Sequence, residues 1–176
     1  PLRLTRQLAQ LCSGEFVTRA ENLLIFGLPG VGKTHFAAAV GHQLVQAGHS
    51  VLFTPTFHLV DELLRAKRDL LLERELRRLD TYEVLILDDI GYVQQSRDEM
   101  EVLFTLLAER YECRSVVITS NLVFSQWEQI FKDPMTTAAA INRVVHHSII
   151  VELFGKEIPS HRAQQAAQRI QQETSD

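Results

Sequence analysis

Short apolar runs alternate along the chain with longer stretches in which apolar residues recur at helical spacing. The runs are too short for helices and are bounded by polar residues or glycine, which predicts strands. The predicted strands are Asn22–Phe26, Ser50–Thr54, Val84–Asp88, Ser115–Thr119 and Ile149–Leu153. The run Val84–Asp88 is apolar until its last residue, which is typical of a strand buried on both faces of a parallel sheet.

Helices are predicted at Lys33–Ala47, Phe57–Ala66, Asp69–Leu79 and from Ser96 to about Tyr111. Ser96 and Glu99 have the spacing of a capping box, and Ser125 and Glu128 repeat it. Asp133-Pro134 is typical of an N-cap followed by proline, and the Gln/Ala-rich tail from Ser160 can form a last helix. Strands alternating with helices predict an α/β domain with a parallel sheet covered on both faces.

Composition excludes several classes of protein. The 176 residues are 45% hydrophobic, enough to fill the core of one compact domain, and no run approaches the length of a membrane span. Cys12 and Cys113 lie far apart, so neither a zinc pattern nor a disulfide framework is expected. The start at Pro1 lacks the pattern of a signal peptide, and the absence of an initial Met suggests a piece of a longer protein. We expect a soluble cytoplasmic protein, and the net charge of −4 by itself argues mildly against a nucleic-acid partner.

A phosphate-binding loop follows the first predicted strand. Gly27-Leu-Pro-Gly-Val-Gly-Lys-Thr34 fits G-x-x-x-x-G-K-[ST] and opens the next helix. Its glycines let backbone N–H groups turn towards phosphate oxygens, and the helix N-terminus favours an anion. Lys33 would bring its charge to the β- and γ-phosphates of ATP, and the Thr34 hydroxyl would bind Mg²⁺. The alternative is a Gly-Pro turn that only connects strand to helix. The candidate nucleotide contacts are Gly27, Pro29, Gly30, Val31, Gly32, Lys33, Thr34 and His35.

Polar residues follow two of the buried strands at the edge of the sheet where ligands bind in open α/β folds. Asp88 would hold Mg²⁺ through water opposite Thr34, and Asp89 would act as general base towards the attacking water. Asn121 would lie beside the γ-phosphate and orient that water. The alternatives are a solvated strand end for the carboxylates and a local turn cap for Asn121.

The order of these motifs resembles that of the AAA+ ATPases, and further segments resemble the IstB family of ATP-dependent transposition helpers encoded by insertion sequences. That family is similar to the helicase loader DnaC and, more distantly, to the initiator DnaA. The likeness extends from about residue 8 to about residue 162. It rests on Gly14-Glu-Phe-Val, Ala20-Glu-Asn-Leu-Leu, Gly30-Val-Gly-Lys-Thr-His35, Asp88-Asp-Ile-Gly-Tyr92, Glu109-Arg-Tyr111 and Thr119-Ser-Asn-Leu122.

The resemblance implies a P-loop AAA+ domain with a five-stranded parallel sheet in the order 5-1-4-3-2 and an initiator-type helical insertion after the second strand. It also implies an ATP-dependent oligomer that binds DNA, presents it to a transposase and hydrolyses ATP between subunits. By this likeness Arg143 would reach the γ-phosphate of a neighbouring subunit, and Arg162 would lie near the nucleotide of its own subunit. The alternatives are a surface ion pair for Arg143 and an ordinary first-turn helix residue for Arg162.

Two departures from the family qualify these expectations. Many AAA+ proteins have Glu where this chain has Asp89, whose side chain is one methylene shorter, so we expect slow intrinsic hydrolysis. The family's N-terminal region is largely absent. The expected organisation is a lead-in at 1–21, an ATPase core at 22–155 with a basic insertion at 55–82, and a C-terminal helix or tail at 156–176.

A basic stripe lies within the insertion. Its six basic residues can contact DNA phosphates without reading sequence, and in the DnaA/DnaC/IstB group the extra helix here lines a DNA path. They are Arg65, Lys67, Arg68, Arg74, Arg77 and Arg78. The alternative is a solvated helix face with pairs such as Glu73–Arg77.

Three functions remain open at this point. The first is an ATP-dependent DNA-binding regulator of transposition, and the second is a DnaC-like loader of a replicative helicase. The third is a monomeric P-loop kinase or small-molecule NTPase, which would leave the basic insertion unexplained.

Overall fold

Five parallel strands form the centre of the protein. We describe a computed structural model of the chain, in which residues 8–90, 96–121 and 144–153 are described. The strands are β1 (Asn22–Phe26), β2 (Val51–Pro55), β3 (Val84–Asp88), β4 (Ser115–Ser120) and β5 (Ser148–Glu152). Their order across the sheet is β2-β3-β4-β1-β5, and every neighbouring pair is parallel. The predicted fold class and strand order are therefore confirmed.

Helices cover both faces of this sheet. Residues 8–12 form α1, followed by α2 (Glu15–Thr18), α3 (Lys33–Gln46), α4 (Thr56–Arg68), α5 (Leu72–Asp80), α6 (Arg97–Arg110) and residues 144–146 (α7). Alternate side chains of each strand point to opposite faces. Leu24 and Phe26 of β1 therefore join the cluster made with α4, α5 and α6, while Leu23 and Ile25 join α3 in a second cluster.

The predicted elements in the described ranges are present, with small shifts at their ends. The helix predicted to begin at Asp69 begins at Leu72, because the chain turns at Asp69–Leu71 and Leu70 takes a left-handed φ of 59°. The capping box of α6 is present, with the Ser96 hydroxyl accepting from the Glu99 N–H at 3.4 Å. The helix starts predicted at Ser125 and Asp133 and the tail from Ser160 lie outside the described residues.

Two helices, α4 and α5, connect β2 to β3 and form what we call the basic hairpin (Thr56–Asp80). The apolar side of α4 is buried through Leu59, Val60 and Leu63 and packs against α6. The hairpin is thereby fixed on one face of the sheet, beside β2 and β3. None of the helices in the described segments is long and apolar enough to cross a membrane.

Candidate nucleotide site and basic hairpin

The loop between β1 and α3 has the backbone of a phosphate cradle. Gly30 and Gly32 have φ of 82° and 96°, in the left-handed region that favours glycine, and Gly32 is the N-cap of α3. At Gly27 the constraint is space, because an added Cβ would lie 2.7 Å from Val31 Cγ2 and 3.2 Å from Leu153 Cβ. The loop therefore presents main-chain N–H groups and the positive end of α3 at the carboxyl edge of the sheet.

Lys33 is the first residue of α3 and bends back over the loop. Its ammonium donates to the carbonyls of Gly27 at 2.9 Å and Leu28 at 3.1 Å. Burial lowers the pKa of Lys33, and the nearby carboxylates of Asp89 and Asp88 partly oppose that shift. The site thus holds one positive charge opposite two negative ones.

Thr34 and Asp88 meet across the gap between α3 and β3. The Thr34 hydroxyl lies 3.0 Å from Asp88 Oδ2 and 3.1 Å from Oδ1. A third residue joins them, because the Thr119 hydroxyl of β4 donates to Asp88 Oδ1 at 2.6 Å. The Asp88 carboxylate is therefore held by hydroxyl donors from two different elements.

Asp89 follows β3 in a left-handed conformation, with φ of 59°. Its backbone N–H donates to the Thr119 hydroxyl at 2.8 Å. Burial raises the pKa of the Asp89 carboxyl, the negative charge of Asp88 raises it further, and Lys33 opposes both. Within the described part of the chain, Asp89 Oδ1 and Asn121 Oδ1 are buried acceptors without a hydrogen-bond donor. Buried oxygens in that state indicate a place where water or a ligand binds.

The structure places Lys33, Thr34, Asp88 and Asp89 close together, and Asn121 follows β4 at the same edge of the sheet. The other loop candidates, Gly27 through Gly32, line the same end of the sheet. His35 is exposed in the first turn of α3. Arg143 and Arg162 lie outside the described residues.

Sequence reasoning missed two threonines at this site. Thr119 is 1% exposed and links both acidic residues, as described above. Thr56, the first residue of α4, is fully buried and donates its hydroxyl to the main-chain carbonyl of Asp88 at 2.9 Å. For Thr119 the signal in the sequence was a hydroxyl side chain at the end of an apolar strand, but threonine is also common there as an ordinary β-branched strand residue.

Sequence reasoning also missed the role of Arg110, which is 2% exposed. Its guanidinium donates to four main-chain carbonyls at the ends of α5, β3 and β4. They are those of Leu79 at 3.1 Å, Tyr82 at 2.9 Å, Glu83 at 3.1 Å and Ser115 at 3.2 Å. Arg110 therefore fastens the end of the basic hairpin to the sheet.

The basic stripe divides into two groups in the structure. In α5 the leucines at 72, 76 and 79 pack towards the core, while Arg74, Arg77 and Arg78 are exposed on the opposite side. Lys67 instead turns towards α6, where its ammonium lies 3.0 Å from Glu101 and 3.5 Å from Asp98. Lys67 thus contributes to packing between helices rather than to the outward face of α5.

Most of the other basic residues of the stripe form ion pairs with nearby carboxylates. Arg65 lies 2.5 Å from Asp61, and Arg77 lies 3.6 Å from Glu73. Arg78 contacts Glu75 at 2.5 Å and Glu62 at 3.6 Å. Arg68 donates to the Leu64 carbonyl at 3.4 Å, and Arg74 has no ion pair with the described residues. Because these pairs are solvent-exposed, each contributes little to stability and can exchange for another anion.

Comparison with known proteins agrees with this geometry. A family model described as IstB-like ATP binding protein matches residues 3–168. A Sinorhizobium fredii protein named for an insertion sequence and ATP binding is 42% identical over 167 residues, which are 94% of this chain and 55% of the relative. A Pseudomonas aeruginosa protein named for insertion sequence IS21 and ATP binding is 44% identical over 154 residues, 88% of this chain and 57% of the relative. The chain spans slightly more than half the length of these relatives.

Solved structures show the same fold. The DnaC helicase loader superposes with a TM-score of 0.72 at 21% identity, over 85% of this chain and 88% of that one. AMPPCP-bound DnaA from Aquifex aeolicus superposes with a TM-score of 0.69 at 17% identity, over 86% of this chain and 46% of that one. The family match covers nearly the whole chain and agrees with the motifs, so this protein belongs to the family of IstB-like ATP-binding proteins.

Proposed function

We propose that this chain is the ATPase part of a DNA-binding regulator of transposition, which assembles into an oligomer and delivers target DNA to a transposase. Family membership and the insertion-sequence names of its relatives support the transposition context. The observation that carries ATP hydrolysis is the convergence of Asp88, Asp89 and Asn121 beside the phosphate loop, with two buried oxygens lacking a donor in the described structure.

The residues present fit a magnesium ion. Thr34 and Asp88 offer hydroxyl and carboxylate oxygens about 3 Å apart, the hard donors that Mg²⁺ prefers. When bound, the ion neutralises negative charge on the β- and γ-phosphates of ATP.

The protein's own groups account for the remaining requirements of hydrolysis. The Lys33 ammonium exchanges its contacts with the Gly27 and Leu28 carbonyls for phosphate oxygens. Asp89 accepts a proton from the attacking water, and its raised pKa brings it closer to that of an effective base near neutral pH. The Asn121 side chain orients the same water. Arg143 of a neighbouring subunit and Arg162 of the same subunit complete the site, as in the family that the sequence resembles.

Hydrolysis is tested by phosphate release from the purified chain with ATP, Mg²⁺ and DNA. Lys33→Ala should weaken nucleotide binding, whereas Asp89→Asn should still bind ATP and lose about 10²- to 10⁴-fold in turnover. Asp69→Asn removes an exposed carboxylate in the α4–α5 turn and serves as the matched control. If Asp89→Asn hydrolysed ATP as fast as the unmodified chain, Asp89 would not be the base.

DNA binding is assigned to the outward face of α5. Replacing Arg74, Arg77 and Arg78 by Glu should weaken binding to every DNA sequence and reduce the salt slope of log K by about 0.9 for each lost phosphate contact. The control replaces Arg19, Arg97 and Arg114 by Glu, which changes the formal charge equally outside the basic hairpin. Equal losses in both variants would mean that net charge, and not this face, governs binding.

Assembly and partner choice separate this proposal from its alternatives. Sedimentation with and without ATP and DNA should show a ligand-dependent oligomer, and a chain that stayed monomeric under all conditions would favour a small-molecule NTPase. Pull-down should recover a transposase. Recovery of a hexameric replicative helicase instead would favour a loader.

A further inference from the structure

We propose that Thr119 is a positioning residue for ATP hydrolysis, which holds both acidic residues of the site in their working arrangement. This inference rests on the hydrolysis proposed above. In this proposal one hydroxyl group fixes both the position of the Asp88 carboxylate and the backbone conformation of Asp89.

The direction of the hydrogen bonds fixes the role of this hydroxyl. Thr119 Oγ1 accepts from the backbone N–H of Asp89 at 2.8 Å, so its single hydrogen is available for Asp88 Oδ1 at 2.6 Å. A hydroxyl carries only one hydrogen, and both of these contacts are satisfied at once. Thr119 therefore joins the side chain of one acidic residue to the main chain of the next.

The contact replaces a regular sheet bond. The paired register between β3 and β4 ends at Leu87 and Ile118. Beyond that point the Asp89 N–H bonds to a β4 side chain instead of a β4 carbonyl, and φ of Asp89 becomes 59°. Aspartate is one of the few non-glycine residues that adopt this conformation readily, and a hydrogen bond to its backbone N–H favours one such conformation over the others. Thr119 supplies that hydrogen bond.

The same arrangement bears on the short Asp89 side chain. Because the Asp89 side chain has one methylene less than Glu, the position of its carboxylate depends closely on the backbone conformation at Asp89. A change of φ at Asp89 would move the whole side chain away from Lys33, with which its carboxylate interacts. The Thr34 hydroxyl also contacts Asp88, but Thr34 is exposed and belongs to the phosphate loop. Thr119 is 1% exposed and lies on a central strand, so it provides the fixed reference for Asp88.

The decisive variant is Thr119→Val, which keeps shape and removes the hydroxyl, with Thr119→Ser as the conservative rescue. Thr56→Val is the matched control, because it removes another buried hydroxyl, whose one hydrogen bond to the described residues is to the Asp88 carbonyl and not to a side chain of the site. Two quantities are measured on the full chain. They are the steady-state ATPase parameters and the Mg²⁺ concentration that half-saturates binding of a fluorescent, non-hydrolysable ATP analogue.

Thr119→Val should lower kcat about 10- to 100-fold and raise the half-saturating Mg²⁺ concentration by a similar factor, the range seen for groups that orient a metal ligand. Binding of the analogue without Mg²⁺ should not change, and Thr119→Ser should restore both values. At saturating Mg²⁺ in the Asp89→Asn background, Thr119→Val should lower kcat no further, since the two residues act as a unit in the chemical step.

The inference is overturned if Thr119→Val changes both values no more than Thr56→Val does, or if its effect simply multiplies with that of Asp89→Asn. Should Thr119→Val fail to fold, Thr119→Cys, with its weaker donor, must show an intermediate loss. A wild-type chain that binds nucleotide without hydrolysing it would refute the proposed activity alone, because the Mg²⁺ measurement still tests Thr119.

Discussion

Replacing Arg110 by Met is the sharpest test of how the basic hairpin is attached to the sheet. The guanidinium is buried and reaches the carbonyls of Leu79, Tyr82, Glu83 and Ser115. Burial lowers the pKa of Arg110 to about 10, so the group remains charged at neutral pH. Methionine fills most of the same space but donates no hydrogen bond, which leaves these carbonyls without their donor.

The expected loss of stability follows from counting those bonds. Three carbonyls share Nη2, which has only two hydrogens, so the contacts amount to about three full hydrogen bonds. Breaking a buried charged network of this size costs about 3–5 kcal/mol. Arg110 also lines a groove of about 410 Å³ between α5 and α6. In Arg110→Met, water entering this groove can bond to some of the carbonyls that have lost their donor. We therefore expect the lower end of that range.

Urea unfolding followed by circular dichroism measures this loss directly. Thermal unfolding gives a second measurement. At about 2–4 °C per kcal/mol for a chain of this size, a loss of about 3 kcal/mol should lower the melting temperature by roughly 6–12 °C. Arg114→Met is the control, since the Arg114 side chain is partly exposed and its one ion pair with the described residues, at 3.6 Å from Asp80, contributes about 0–1 kcal/mol. A loss below about 1 kcal/mol in Arg110→Met would show that the carbonyls do not depend on this guanidinium.

Three further predictions concern the site and the hairpin. The pKa of Asp89 is raised, and a general base must be ionised to accept a proton. As the pH is lowered, kcat should therefore begin to fall at a higher pH than it would with an ordinary carboxylate as base. A flat kcat–pH profile would contradict this. Gly27→Ala should weaken ATP binding measured by fluorescence titration at least about 10-fold, because its Cβ meets Val31 at 2.7 Å; unchanged affinity would show that the loop adjusts freely. Leu70 is 92% exposed with φ of 59°, so Leu70→Asn should raise the free energy of unfolding by about 0.5–1 kcal/mol, and a decrease would show that Leu70 makes a needed contact.

The fold was largely predictable because its signals are local. Each strand is a short apolar run, and β1 and β3 were predicted to the residue. The phosphate loop and the two acidic residues were also predictable, since chain order in a parallel sheet places the ends of successive strands at one edge. Element ends were less predictable. The late start of α5 depends on the left-handed turn at Leu70, a conformation that leucine rarely adopts.

Contacts between distant polar groups could not be predicted in this way. Thr119 and Arg110 look ordinary in the sequence, one ending a β-branched strand and the other ending an amphipathic helix. Their roles become visible only in the fold, which brings Asp88 to Thr119 and Leu79 at the end of α5 to Arg110. The two residues of each pair are 31 positions apart in the sequence. Likewise, the basic stripe did not distinguish Lys67 from its neighbours, because the partner acids lie on α6.

The attachment of the basic hairpin decides how its variants should be interpreted. Thr56 at the start of α4 bonds to the Asp88 carbonyl, and Arg110 holds the carbonyl of Leu79 at the end of α5 together with those of Tyr82 and Glu83 just before β3. Both ends of the hairpin are thus tied to the strand that carries the acidic site. Loss of the Arg110 tie, which involves four carbonyls, would move the end of α5 and the start of β3 together, so it would change the proposed ATP turnover and the proposed DNA binding at once. The outward face of α5, whose arginines contact solvent and acids of the hairpin itself, therefore allows the proposed DNA binding to be tested while β3 stays in place.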